Sequence, residues 1–296
     1  MELRHLRYFV TLAEELHFRR AAERLHIAQP PLSQQIRQLE TELGFSLFYR
    51  TKRSVQLTEA GIVFLVEAQR ILTQLTLAIQ VGRQVSRGEI GQLVIGFVSS
   101  TAYNVLPPIL RTFRSHFPNV KLGLQELTTD QQVQWLREKR IDIGLFRPPI
   151  EDDGFSVEPI FEEALMVALP ETHALAHQSE VSLRSLAHES FMMIPRNVAP
   201  GLYDPIISSC QQAGFSPIVA QEAIQMQTIV SLVAAEIGVA IVPASLQQLQ
   251  RPGIVYKEIA ESTPKVTIAM IWRSQDSSAI VQRFLEVVRQ IFHCSN

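Results

Sequence analysis

Two adjacent prolines, Pro30-Pro31, divide a stretch of helical pattern and so limit what the first sixty residues can become. The residue before a proline avoids helical geometry, whereas proline itself suits a first helical turn. The pair therefore restarts a helix and does not interrupt a long one. Upstream, Phe18, Ala21, Ala22 and Leu25 share one face, and the two alanines let a second helix cross closely. Downstream, Leu32, Ile36, Leu39 and Leu43 repeat at 4-3-4, and Gly44 stands where a left-handed residue ends a helix. The other face of this second helix carries Ser33, Gln34, Gln35, Arg37 and Gln38, with Gln29 and the two prolines at its tip. Such side chains pair with base edges in the major groove of DNA, and a helix N-terminus attracts phosphate. Residues 47–50 and 54–57 then flank the turn Thr51-Lys52-Arg53, a short hairpin with the cations Arg50, Lys52 and Arg53 near its tip. Phosphate or minor-groove contact is the natural use of such a wing. The competing reading is a small packed domain whose polar helix face is only solvated.

Several sequence blocks together resemble the LysR-type transcriptional regulators. They are residues 1–9 (MELRHLRYF), Phe18-x-x-Ala21-Ala22, Gln29-Pro30-Pro31-Leu32-Ser33, Leu39-Glu40, Leu43-Gly44 and Leu57-Thr58-x-Ala60-Gly61. One departure is visible: many members carry Arg where this chain has Gln34. The reading is an N-terminal winged helix-turn-helix over 1–58. Gln29, Pro30, Pro31, Ser33, Gln34 and Arg37 face double-stranded DNA, and Arg50, Lys52 and Arg53 contact its backbone.

The formal charge of −2 over 296 residues does not by itself point to nucleic acid. Its distribution is more telling. Residues 1–90 hold 12 Lys and Arg against 9 Asp and Glu, while the remainder hold 15 against 20, which fits a basic head on an acidic body. Met1-Glu2-Leu3-Arg4 lacks a basic-then-apolar signal pattern, and no apolar run approaches a membrane span. A soluble, cytoplasmic protein without a membrane partner is expected. Cys210 and Cys294 lie far apart with no CxxC spacing, so neither a disulfide framework nor a zinc site is expected, and Cys210 reads as a small core residue.

Thr58 can cap a long helix, for no proline occurs between it and Pro107, and Leu65, Ala68, Leu72, Leu75 and Ile79 repeat at 3-4-3-4. This reads as a linker helix over 59–87 with a coiled-coil seam, followed by a glycine-bearing hinge at 88–91. The alternative is a helix packed on its own domain. Self-association suits the head, since one recognition helix reads few base pairs and a two-fold pair reads a palindrome with spaced half-sites. The resemblance implies a homodimer paired into a homotetramer, an interrupted inverted repeat as target, and contact with RNA polymerase.

From Gln92 the pattern becomes strand, helix, strand, helix, which argues an α/β domain with a parallel sheet. Strands are expected near 93–98, 120–127 and 141–146 with helices near 106–115 and 130–138. A second lobe follows, with strands near 164–169, 191–194, 218–222 and 239–243 and helices near 203–213 and 229–238. A late strand at 267–272 and a helix at 279–292 return to the first lobe. The fold expected is an α/β effector domain of two lobes over 92–296, periplasmic-binding-protein-like as the resemblance also implies. Lobe I spans about 92–161 and 266–296, and lobe II about 162–265.

Ligands of α/β sheets sit beyond the carboxyl ends of strands. There lie Ser99, Ser100 and Thr101, then Thr128, then Arg147, with residues 197–202 and Gln227 on the facing lobe. Donors at helix starts plus an arginine suit a small carboxylate. The alternative is that the hydroxyls only cap helices and Arg147 pairs with an acid. Phe97-Val98-Ser99-Ser100, Thr128, Arg147, Pro200 and Gln227 resemble the branch of the family that senses aromatic acids, muconate-like dicarboxylates and other small carboxylates. Ser99, Thr128 and Leu202 match positions lining that pocket, with Leu202 where some relatives have an aromatic ring. No G-x-S-x-G, HExxH, P-loop or paired-carboxylate motif supports an enzyme, and no cofactor or metal is implied. The remaining rivals are a transported-solute binder and a ligand-independent architectural DNA-binding protein.

Overall fold

The computed structural model describes residues 1–51, 54–150 and 152–293, and the chain divides into two compact units, 1–84 and 85–296. Lys52, Arg53 and Cys294 lie outside the described residues.

The first unit begins with a helix that the sequence reading did not assign, α1 (Leu3–Glu15). Glu2 and His5 form a reciprocal capping box at its start. Then come α2 (Phe18–Arg24), α3 (Gln29–Leu43) and the antiparallel hairpin β1 (Phe48–Arg50) with β2 (Val55–Leu57). Pro30 and Pro31 occupy the first turn of α3, and Gly44 caps its end at φ 78°. Leu6, Phe9, Leu12, Ala21, Ala22, Leu32, Ile36 and Leu39 form one buried core, and the Phe9 ring meets Phe48 edge-on at 5.5 Å. Each of the larger side chains contributes about 1.5–3 kcal/mol by leaving water.

Helix α4 runs over Glu59–Ser86. Thr58 starts it: its hydroxyl accepts from Gly61 N at 2.8 Å and donates to the Ser46 carbonyl at 2.7 Å. Gly61 is required there, because a Cβ would sit 2.2 Å from the Leu47 carbonyl oxygen. Two expectations change at this helix. Leu65, Ala68 and Leu72, read as a seam for a partner, pack against the core of the first unit. Ile79, from the C-terminal end of that seam, stays exposed, and so do Ile62, Val66, Leu77 and Val81 among other apolar side chains of the helix. Second, by length and composition α4 is apolar enough to cross a membrane. The expectation that no apolar run approaches a span overlooked it because Glu67 and Arg70 interrupt the run.

The second unit contains β3 (Gly91–Phe97), α5 (Leu106–His116), β4 (Val120–Glu126), α6 (Thr129–Arg137), β5 (Ile143–Phe146) and β6 (Phe155–Glu163). After these come β7 (Leu165–Pro170), β8 (Glu180–Val181), β9 (Ser190–Met193), α7 (Pro200–Gln212), β10 (Ile218–Glu222), α8 (Met226–Ala234), β11 (Ala240–Pro243) and β12 (Ile254–Ile259). The chain closes with β13 (Val266–Arg273) and α9 (Ala279–His293). One sheet has the order β4-β3-β5-β13-β6 and a second β11-β7-β12-β8, with the parallel pair β9-β10 tied to the latter by a bridge from Phe191 to Val239.

The parallel-sheet expectation holds for β3, β4 and β5, whereas β13 enters antiparallel to both β5 and β6. β6 and β12 were not foreseen, because their half-buried alternation lacks a continuous apolar run. Leu93, Ile95, Ile109, Phe113, Ile143, Leu145 and Phe284 fill the first lobe between sheet and helices. Leu169, Phe191, Leu202, Ile206, Cys210 and Val233 belong to the core of the second.

Candidate functional site

The carboxyl ends of β3, β4 and β5 open onto a cavity of about 250 Å³ whose far wall is supplied by the second lobe. From the first lobe it is lined by Ser99, Ser100, Glu126, Thr128 and Arg147 among others, and from the second by Ile194, Val198, Leu202, Ile224, Gln225 and Met226. Ser99 and Ser100 open a short 3-10 turn (Ser99–Tyr103), and Thr128 is the N-cap of α6. The first N–H groups of a helical turn have no intrahelical acceptor, and at α6 the Thr128 side chain accepts from the Gln131 backbone amide. The second wall is held close by Gly201 in the first turn of α7, where a Cβ would lie 1.8 Å from the Pro148 carbonyl oxygen.

Of the seven cleft residues named from sequence, Ser99, Ser100, Thr128, Arg147 and Leu202 line this cavity. Gln227 lines an adjoining, more open recess with Tyr103, Glu126 and Ser231. Thr101 is a correction. It is fully buried, and its hydroxyl donates to the Val98 carbonyl at 2.8 Å, so it braces the turn and does not reach the cavity.

Arg147 is 2 % exposed. Its Nη2 donates to Glu163 Oε1 at 2.7 Å, and Nε and Nη2 both reach Ser100 Oγ at 3.3 and 3.2 Å. Glu163 Oε2 in turn accepts from Ser245 N at 2.8 Å. The Arg147 Nη1 is buried with no hydrogen-bond partner among the described residues. Burial pulls the guanidinium below its ordinary pKa, and Glu163 opposes that shift. Arg147 thus pairs with an acid, as the alternative reading had it, but the acid is buried and one donor is left unspent. Glu163 was invisible from sequence because nothing local distinguishes the last residue of β6. Glu126, Ile224, Gln225 and Met226 were missed for the same reason.

In the first unit, Gln29, Pro30, Pro31, Gln34 and Arg37 are exposed along α3 and Ser33 is half-buried. Gln35 is diverted inward, where its Oε1 lies 2.7 Å from His5 Nε2, and so ties α3 to α1. Arg50 departs from its expected role as a free wing cation. It is paired with Glu40, whose other oxygen accepts from Leu47 N and Phe48 N, and its guanidinium lies over the Phe18 ring. That arrangement fixes the base of the hairpin. The wing's other cations, Lys52 and Arg53, are outside the described residues.

Two family profiles match the chain, "Bacterial regulatory helix-turn-helix protein, lysR family" over residues 3–62 and "LysR substrate binding domain" over 86–292. The HTH-type transcriptional regulator CatR of Pseudomonas putida is 43 % identical over 290 residues, covering 98 % of this chain and 99 % of that protein. The HTH-type transcriptional regulator AlsR of Bacillus subtilis (strain 168) is 39 % identical over 287 residues, covering 97 % and 95 %. Among solved structures, CbnR, a LysR family transcriptional regulator, superimposes with a TM-score of 0.87 at 32 % identity, covering 98 % of this chain and all of that one. CbnR complexed with its target DNA gives 0.85 at 31 % identity, covering 98 % and 99 %. Head, long helix and two-lobed body are therefore matched over almost the whole length, and the chain belongs to the LysR family of DNA-binding transcriptional regulators with an effector-binding domain.

Proposed function

We propose that this regulator responds to a small effector, carboxylate-bearing or aromatic, held between the two lobes through Ser99, Ser100, Thr128, Arg147, Leu202 and the flanking Gln227. The observation that carries the reading is the buried, unpartnered Nη1 of Arg147 at a cavity lined by Ser and Thr hydroxyls and by two helix starts. A buried donor without a partner is costly, and a ligand oxygen relieves that cost. Catalysis is not part of the proposal: among the described residues no histidine lines the cavity or the adjoining recess to activate Ser99, and the relatives named above are regulators.

On the DNA side, Gln29, Pro30, Pro31, Ser33, Gln34 and Arg37 read or flank the groove, with the hairpin cations on phosphates. The working division is a head over 1–58, a linker and dimerisation helix over 59–87, a hinge at 88–91 and a two-lobed body over 92–296. In this reading the protein acts in the cytoplasm as a homodimer or homotetramer, binds an interrupted inverted repeat beside a promoter, and sets the access of RNA polymerase. The ligand moves that equilibrium only by its difference in affinity for two arrangements.

The test uses operator fragments recovered by immunoprecipitating the protein from cells. A panel of small carboxylates is titrated into full-length protein by calorimetry, and operator affinity is followed by fluorescence anisotropy. Ser99→Ala is expected to lose the effector response while binding the operator as before. An undiminished response would remove Ser99 from the site.

A further inference from the structure

Among the described residues lining the cavity and its adjoining recess, only Arg147 and Glu126 carry an ionised side chain. At the inner end, Arg147 is neutralised by Glu163, so what remains there is one unpartnered donor, Nη1, and no net positive charge. At the outer end, Glu126 closes β4, is exposed, and borders both the cavity and the recess. Gln225 borders both as well, and Tyr103 lies across the recess. Glu126 is felt by its neighbours: the Tyr103 phenol is held above its ordinary pKa by burial first and by the Glu126 charge second.

Resting on the carboxylate reading above, we infer that Glu126 is the specificity-determining residue of this cleft. It selects effectors that place one carboxylate at the Arg147 end and a hydrogen-bond donor, a hydroxyl or an amino group, at the other, and it rejects dicarboxylates. The reason is electrostatic. A second carboxylate at the outer end meets Glu126, and Arg147, the one cation among the described residues lining the cavity, is already shared with Glu163. A donor at the same place finds in Glu126 and Gln225 two acceptors. This narrows the effector class that the branch resemblance left open, for muconate-like diacids fit that branch and not this charge pattern.

The experiment is calorimetric titration of full-length protein and of Glu126→Gln with two matched probe series at millimolar concentration. One is benzoate, 3-hydroxybenzoate and isophthalate, and the other butyrate, 4-hydroxybutyrate and succinate. The expected result is that wild-type protein binds the hydroxy acid most tightly and the diacid least in at least one series. Glu126→Gln is expected to raise diacid affinity about tenfold relative to the monoacid, the size of effect one charge exerts across a partly solvated site. A diacid preference in the wild type, or a diacid-to-monoacid ratio unchanged by Glu126→Gln, overturns the assignment and leaves the carboxylate reading standing. Absence of binding by every acid in both proteins overturns the carboxylate reading, and this assignment with it.

Discussion

Glu163 shows how much a single buried carboxylate can hold together. It ends β6, receives Arg147 from the first lobe on one oxygen, and receives the Ser245 amide, just past β11 of the second lobe, on the other. Removing one partner of a buried ion pair strands the other charge and typically costs about 3–5 kcal/mol. Glu163→Ala is therefore expected to lower the unfolding free energy of the effector-binding body by about that amount in urea titration. A loss below about 1 kcal/mol would mean that water or a rearranged Arg147 takes up the charge. Cys210 offers a second test. Its thiol, fully buried in the second lobe, is pushed up from 9.0 to about 11 by burial. The folded state keeps this proton where the unfolded chain loses it. The associated stability is fully present below pH 9, falls as pH rises, and is gone by about pH 11. Thermal melts across that window should fall less steeply for Cys210→Ala than for the wild-type protein; superimposable slopes would contradict the burial argument.

At the scale of elements, α4 separates two questions that periodicity merges. The 3-4 repeat of Leu65, Ala68 and Leu72 identifies a buried face without saying which neighbour buries it, and here that neighbour is the helix's own unit. Ile62, Val66, Leu77 and Val81 are among the exposed apolar side chains of α4, and so are available to a second copy. Leu77→Glu is expected to weaken self-association at least about tenfold by sedimentation equilibrium, since a charge replaces an apolar contact, while the melting of the head stays unchanged. If Leu77→Glu self-associates like wild type, those side chains are not the interface. Helix α3 has its own test. Gln29→Ala and Ser33→Ala are expected to weaken operator binding more than binding to random duplex, because base contacts specify and phosphate contacts do not. Equal losses on both duplexes, in anisotropy at one salt concentration, would place these residues on the backbone instead.

These elements also show where sequence was readable. The head was legible because its determinants are contiguous: Pro30-Pro31, Gly44 and Thr58 each act on backbone within a few residues. The strand-end positions of Ser99, Thr128 and Arg147 followed from strand–helix alternation. Glu126 and Glu163 did not, because their meaning depends on which side chains two separately folded lobes bring face to face. The Glu163–Ser245 contact spans 82 residues. Arg50 was misread for a simpler reason: a cation beside a turn looks free until Glu40, ten residues earlier, is placed under it.

For the whole molecule, head and body have to be coupled energetically if an effector is to regulate. Such couplings are typically about 1–3 kcal/mol, or a change in affinity of about 5- to 150-fold, and linkage makes them reciprocal. Operator DNA should therefore change effector affinity by the same factor that effector changes operator affinity, when both are measured in one buffer. Unequal factors would require a third equilibrium, such as a change of oligomeric state on DNA.

The order of strands in the first lobe has a consequence for how the protein is made. β13 lies between β5 and β6, yet the whole second lobe, from β7 to β12, precedes it in the chain. A ribosome therefore completes the head and the second lobe while the first lobe still lacks an inner strand, leaving the edges of β5 and β6 without the partner that later joins them. A chain ending before residue 266 would keep the whole head and lack the strand that joins β5 to β6. The sheet of the first lobe is thus closed only after every strand of the second lobe has been made.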